Sequence, residues 1–308
     1  MTTKPLPPPG PHGGDGPSIA AALGVSPSEV LDLSATLNPF APDVAALVRR
    51  HADSVIHYGD PGVGERQLAG RMGVDPSCLV LTNGASEGIA LVAATQPLGR
   101  VDEPEFSLYR RHLTLDPTGP RWRSNPNNPL GTLAHPDDLA GVWDESFWPL
   151  STGTWTRGDA EAGAIVIGSL TKLYACPGLR LGYVIAPSPE VAERLRDQRP
   201  QWSVSALALA VLPDLLGVTD LTGWAAQICR ARAELASVLT RRGLQVRPSE
   251  APWILVTEAP DLRTRLAAEG IAVRDCASFG LEGTMRIAVP RPSELDRLGR
   301  ALDGISPR

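Results

Sequence analysis

The sequence predicts an α/β protein: a large domain built on a mainly parallel sheet, plus a small α+β domain. Three observations carry that expectation. Between residues 79 and 185, short apolar runs alternate with stretches of helical spacing, the pattern of a sheet whose crossover helices cover its faces. After Pro187 the texture changes to two long helical stretches followed by short strands. A chain of 308 residues is long enough to bury two cores of ordinary size. The expected large domain spans 41–190, and 1–40 with 191–308 form the small one.

The elements follow in order. Residues 1–16 are rich in proline and glycine and are expected to lie over the surface. Helical spacing covers 18–23, 43–50 and 65–72, with a strand at 30–33. The β-branched run at 79–82 ends at Asn83-Gly84, where the chain must turn, and a helix opens at Ser86 and continues through Ile89, Leu91 and Val92. The runs at 164–167 and 184–185 read as further strands. Beyond the change of texture, helices are expected at 203–217, 220–242, 261–268 and 293–303. Strands are expected at 244–246, 253–256, 271–273 and 285–289.

Several function classes are excluded. A net charge of -5 without any basic block argues against nucleic acid as a partner. No uncharged apolar run approaches the roughly 18 residues of a membrane span. Met1-Thr2-Thr3-Lys4 followed by prolines lacks the apolar stretch of a secretion signal. Cys78, Cys176, Cys229 and Cys276 are widely scattered, without CxxC or metal-ligand spacing. Reduced thiols in a cytoplasmic protein without a metal site are the simplest account.

The chemistry concentrates in four short motifs. Lys172 lies in Ser169-Leu170-Thr171-Lys172, directly after the 164–167 strand, and Arg180 follows eight residues later. An amine, two hydroxyls and a guanidinium thus meet at one strand end: an imine-forming lysine beside an anion cradle, the combination pyridoxal phosphate (PLP) requires. Alone, Ser-x-x-Lys would more often be a solvated turn. Asn83-Gly84-Ala85-Ser86-Glu87 joins a strand to a helix, and its small residues let backbone N–H groups face an anion with the helix dipole behind them. In Asn125-Pro126-Asn127-Asn128-Pro129-Leu130-Gly131, the Asn-Pro steps restrict the backbone and can fix a side-chain amide toward a ligand. Val142-Trp143-Asp144 puts a carboxylate at the C-terminal end of a strand, where open α/β sheets bind ligands. A buried carboxylate needs a cation, and a protonated pyridine nitrogen is one.

In chain order these motifs resemble the fold type I PLP enzymes of the aminotransferase class I/II superfamily, on its histidinol-phosphate aminotransferase-like branch. The resemblance covers nearly the whole chain. It implies that Lys172 carries the cofactor covalently and that Asp144 meets its pyridine nitrogen. Asn128 would bond the ring hydroxyl, Phe106 would stack on the ring, and Gly84, Ala85, Ser86, Ser169 and Arg180 would surround the phosphate. Tyr58 matches a tyrosine that reaches the neighbouring subunit's cofactor phosphate, so a homodimer is implied. His12-Gly13-Gly14, the run from Leu33 to Pro39 that contains Asn38, and the run from Gly270 to Phe279 that contains Arg274 resemble the threonine-phosphate decarboxylases within that branch. With Arg286, those residues would meet the anionic groups of a small phosphorylated amino-acid substrate. Phe147 agrees, because many related aminotransferases carry a tyrosine there. An aminotransferase of the histidinol-phosphate type shares the same motifs, and a non-catalytic binding protein of the same fold is a third reading.

The chain also departs from that pattern. Few residues separate Tyr109 from Asn125, where relatives carry a strand, a helix and another strand. The helix expected between Gly131 and Asp144 is likewise short. Both cuts fall between the motifs, so they bear on substrate choice and the cover of the large domain rather than on the cofactor site.

Overall fold

The computed structural model describes residues 5–304; the expectation concerning residues 1–4 lies outside them. The chain divides into two compact units. One comprises Ala41–Asn128 and Leu133–Ala225, and the other comprises the residues up to Phe40, Pro129–Thr132 and those from Ala226 onward.

The larger unit is built on a seven-stranded sheet. In spatial order its strands are Leu79–Asn83, Leu181–Ile185, Ile165–Gly168, Val142–Asp144, Arg121–Ser124, Leu98–Val101 and Thr114–Leu115. Leu181–Ile185 runs antiparallel to both neighbours, and the remaining pairs are parallel. Every residue of Ile165–Gly168 and Leu181–Ile185 is buried. That explains why these strands read as continuous apolar runs instead of alternating ones. The Gly84–Thr95 helix packs Ile89 and Val92 into a core shared with Val80, Ile167 and Val184.

Three features differ from the sequence expectation. The unit runs to Ala225, not 190. Ala192 and Leu195 of the Pro189–Gln198 helix enter the same core as Ile89, and Leu209 and Leu212 of the next helix face Gly64. Pro187 marks a change of texture, not the end of a core. The Pro61–Met72 helix begins four residues earlier than its periodicity suggests. Asp60 caps it by accepting from Gly62 N, and Pro61 occupies the first turn, where its missing N–H costs nothing. Finally, residues 132–141 form no helix at all. The crossover is held by side chains: Asn125 Oδ1 accepts from Ala134 N at 3.0 Å, and Asp138 Oδ2 accepts from His135 N at 2.9 Å and from Arg123 Nη1 at 2.7 Å.

The smaller unit joins both parts of the chain. Leu31–Asp32 pairs in parallel with Ile271–Ala272. A four-stranded antiparallel sheet runs in the order Arg274–Asp275, Met285–Ala288, Trp253–Thr257, Gln245–Arg247. The Gly16–Leu23 helix packs Ile19 and Ala20 against Ala267 and Ala272. Among the described residues, no single helix is long and apolar enough to cross a membrane.

Candidate active site

Asp144 closes a strand whose three residues are all buried. Its Oδ2 accepts a 2.9 Å hydrogen bond from the Tyr109 hydroxyl, and its Oδ1 accepts from Ser146 N at 2.9 Å. Burial pushes the carboxyl above the usual carboxylate range, and these donors and the charge of Lys172 pull against it. The site therefore favours a cation beside Asp144. Tyr109 has no exposed surface. Burial, and then the neighbouring carboxyl groups of Asp144 and Glu105, hold its hydroxyl well above its ordinary pKa, so it keeps its proton and donates. The half-buried Phe106 ring meets Tyr109 edge-on at 5.8 Å. Tyr109 is the functional contact that sequence reasoning missed. Its signal is a hydroxyl three residues beyond Phe106, with both side chains packed in one aromatic cluster.

Lys172 sits half-buried in the one-turn Leu170–Leu173 helix, capped by Ser169, whose Oγ accepts from Lys172 N at 3.4 Å. Thr171 Oγ1 donates to Leu181 O at 3.1 Å, tying the lysine turn to the strand that follows Arg180. Arg180 adopts a left-handed backbone (φ 57°), uncommon for a residue with a side chain. Its Nη2 donates to Ser86 Oγ at 2.9 Å, over the start of the Gly84–Thr95 helix. Glycine permits this close approach. A Cβ on Gly84 would strike the Arg180 guanidinium, and one on Gly182 would strike the backbone of Gly84 and Ala85. A guanidinium, a hydroxyl and a helix N-terminus thus converge, the donor set for a phosphate.

The Asn125–Gly131 stretch is equally well anchored. Asn128 is buried, and its N–H donates to Ser124 Oγ at 2.8 Å. Asn127 Nδ2 donates to Pro104 O at 3.1 Å and to Glu105 Oε1 at 3.0 Å. Tyr58 differs from the rest: it is 80% exposed, with its ring 4.6 Å from that of Trp202.

The other predicted residues lie in the smaller unit. Arg274 and Arg286 stand directly opposite each other on antiparallel strands, both buried. Arg274 donates to Pro11 O and Ser278 Oγ at 2.7 Å and also to Gly10 O, which brings the segment carrying the exposed His12 to this arginine. Arg286 lies over the Trp253 ring at 5.1 Å. Burial lowers its pKa to about 10. Asn38 is buried, and its Oδ1 accepts from Phe40 N at 2.9 Å. Among the described residues, no group of three or more His, Cys, Asp or Glu could hold a metal ion.

The larger unit's residues fit PLP: a buried carboxyl favouring a cation, a half-buried lysine, and a guanidinium–hydroxyl pair at a helix start. Comparison with known proteins agrees. The threonine-phosphate decarboxylase of Salmonella typhimurium is 29% identical, with 96% of each chain covered. Histidinol-phosphate aminotransferase 2 of Methylococcus capsulatus is 27% identical, with 90% of each covered. Histidinol-phosphate aminotransferase from Sinorhizobium meliloti, solved in complex with pyridoxal-5'-phosphate, shares the fold. Its TM-score is 0.77 at 18% identity, over 94% of this chain and 95% of that one. The model of the family described as aminotransferase class I and II matches residues 122–302. The chain belongs to that family, and its cofactor is pyridoxal 5'-phosphate.

Proposed function

We propose that the protein decarboxylates L-threonine O-3-phosphate, releasing carbon dioxide and forming aminopropanol phosphate, the product this reaction contributes to cobalamin biosynthesis. The observation that carries this reading is the buried pair of Arg274 and Arg286, opposed across one ladder. Like charges facing each other in a sheet are unfavourable, and more so when buried. An anionic ligand offsets that cost, and a phosphoamino acid brings both a carboxylate and a phosphate. Similarity to the Salmonella decarboxylase supports the same reading.

In this mechanism Lys172 Nζ would be the amine that holds the cofactor. When bound, PLP supplies an electron sink for the charge left on the substrate carbon. Asp144, oriented by Tyr109 and Ser146, would keep a proton on the cofactor's ring nitrogen. Arg180, Ser86 and Ser169, with the backbone of Gly84 and Ala85, would grip the phosphate. Asn128 would bond the ring hydroxyl, and Phe106 would cover the ring. Once released, Lys172 Nζ would carry, as an ammonium, the proton that the substrate carbon takes up in place of carbon dioxide. Arg274 and Arg286, with His12 and Asn38, bind the substrate's anionic groups.

Similarity to the Methylococcus aminotransferase favours a second reading, transamination of histidinol phosphate. A non-catalytic role is disfavoured, because such a chain has no chemical need for Lys172, Asp144 and Arg180 together. Incubation of the PLP-loaded protein with O-phosphothreonine, and separately with histidinol phosphate plus 2-oxoglutarate, separates the readings. Aminopropanol phosphate is the expected product, and transamination alone would overturn the proposal. Arg286→Ala is expected to lower kcat/KM for O-phosphothreonine at least about tenfold, since it removes charge-assisted bonds worth about 1.5–3 kcal/mol. Cofactor binding should hold. Unphosphorylated threonine decarboxylated as efficiently as its ester would sink the phosphate site.

We also infer a homodimer, in which Tyr58 reaches the partner's cofactor phosphate. Val55, Ile56, Tyr58 and Trp202 are all strongly exposed apolar side chains, a cost that a second copy would remove. Sedimentation of the PLP-loaded protein should give the mass of a dimer, and an active monomer at assay concentrations would refute it. All four cysteines are free thiols, which suits a reducing cytoplasm.

A further inference from the structure

Glu105 is a carboxyl that none of these roles uses, although it sits beside Phe106 and is only 3% exposed. Glutamate is almost never buried this deeply without partners. Ser124 N reaches its two oxygens at 3.2 and 3.1 Å, Asn127 Nδ2 reaches Oε1 at 3.0 Å, and Ser124 Oγ makes a short contact with Oε2. The same Ser124 Oγ accepts from Asn128 N. One carboxyl therefore joins the segment that carries Phe106 to the segment that carries Asn128.

We propose that Glu105 is a positioning residue for the cofactor, acting through Ser124 to hold Asn128 at the ring hydroxyl. The inference rests on the assignment of Asn128 made above. Several titratable or charged groups surround Glu105. Asp144 adds negative charge, Tyr109 feels Glu105 across the same buried space, and Glu103 accepts from Glu105 N while pairing with Arg110. Burial pushes the Glu105 carboxyl up to about 8, and its bonds from Ser124 and Asn127 pull the other way. At neutral pH it therefore carries a proton, and glutamine is its isostere: an amide can donate to Ser124 Oγ and accept from Ser124 N and Asn127.

The test is PLP affinity of the apo protein, read by titration, with apo melting temperatures measured alongside. Glu105→Ala is expected to weaken binding about tenfold, the effect of about one lost hydrogen bond near the ligand. Glu105→Gln should stay within about twofold of the parent. The double variant Glu105→Ala/Asn128→Ala should bind no more weakly than Asn128→Ala alone, because both changes remove one and the same contact. Additive losses, about a hundredfold in the double variant, would overturn the inference. So would a glutamine variant as weak as the alanine one. If Asn128→Ala leaves affinity unchanged, the assignment of Asn128 fails, and any loss in Glu105→Ala then arises by another route, which also overturns the inference. Should Glu105→Ala melt before it can be titrated, Ser124→Ala removes the linking hydroxyl alone and must show the same coupling to Asn128.

Discussion

Lys172→Ala is expected to reduce turnover of any substrate by about ten-thousandfold or more. On the proposed assignment the change removes both the covalent anchor of the cofactor and the amine that carries the proton, and proton transfer alone contributes about 10²–10⁴-fold. Melting temperature should change little, because Lys172 is half-buried and its backbone bond to Ser169 survives the substitution. A direct chemical check is available. The chain contains two lysines, Lys4 and Lys172. Borohydride reduction of the yellow PLP-loaded protein should leave the cofactor on the peptide that contains Lys172. Cofactor recovered on Lys4, or on neither lysine, would sink the assignment.

Asp144→Asn is the second large effect. The amide fills the same space but carries no charge, so it no longer balances the protonated ring nitrogen proposed for this position. Breaking a buried, charge-assisted pair costs about 3–5 kcal/mol, which corresponds to a loss of kcat of about a hundredfold to five-thousandfold. The new NH₂ group would also face a donor, because both oxygens of Asp144 now accept, one from Tyr109 and one from Ser146. Weaker cofactor retention should accompany the loss of rate. Unchanged kcat in this variant would remove Asp144 from the mechanism.

What the sequence makes legible is whatever is local. Asp144 and Lys172 stand at the ends of apolar runs, and the strands at 142–144 and 165–168 follow from those runs. The start of the Gly84–Thr95 helix is written into the small residues after Asn83. What stays hidden depends on pairings between distant segments. The hydrogen bond from Tyr109 to Asp144 spans 35 residues, and the bonds from Ser124 to Glu105 span 19. Neither segment alone hints that its polar group will be buried against the other. Leu31–Asp32 finds its partner at Ile271–Ala272, a pairing no local pattern reveals. The unit boundary is misjudged at 190 for a related reason. The helices that follow keep their spacing, but which sheet they cover is a matter of packing, decided by Ala192, Leu195 and Leu212.

The crossover at 132–141 has a practical side. Without a helix to cover it, Leu139 is left 77% exposed, and the chain crosses between two parallel strands on a few side-chain anchors. Loop-closure entropy rises slowly with length, about 0.6 kcal/mol for each doubling. Extra residues introduced beyond Asp138 would therefore leave the Asn125 and Asp138 anchors in place and cost the fold little. This stretch is the natural port for splicing a reporter peptide or a fluorescent label into the chain without touching the residues proposed to grip the cofactor.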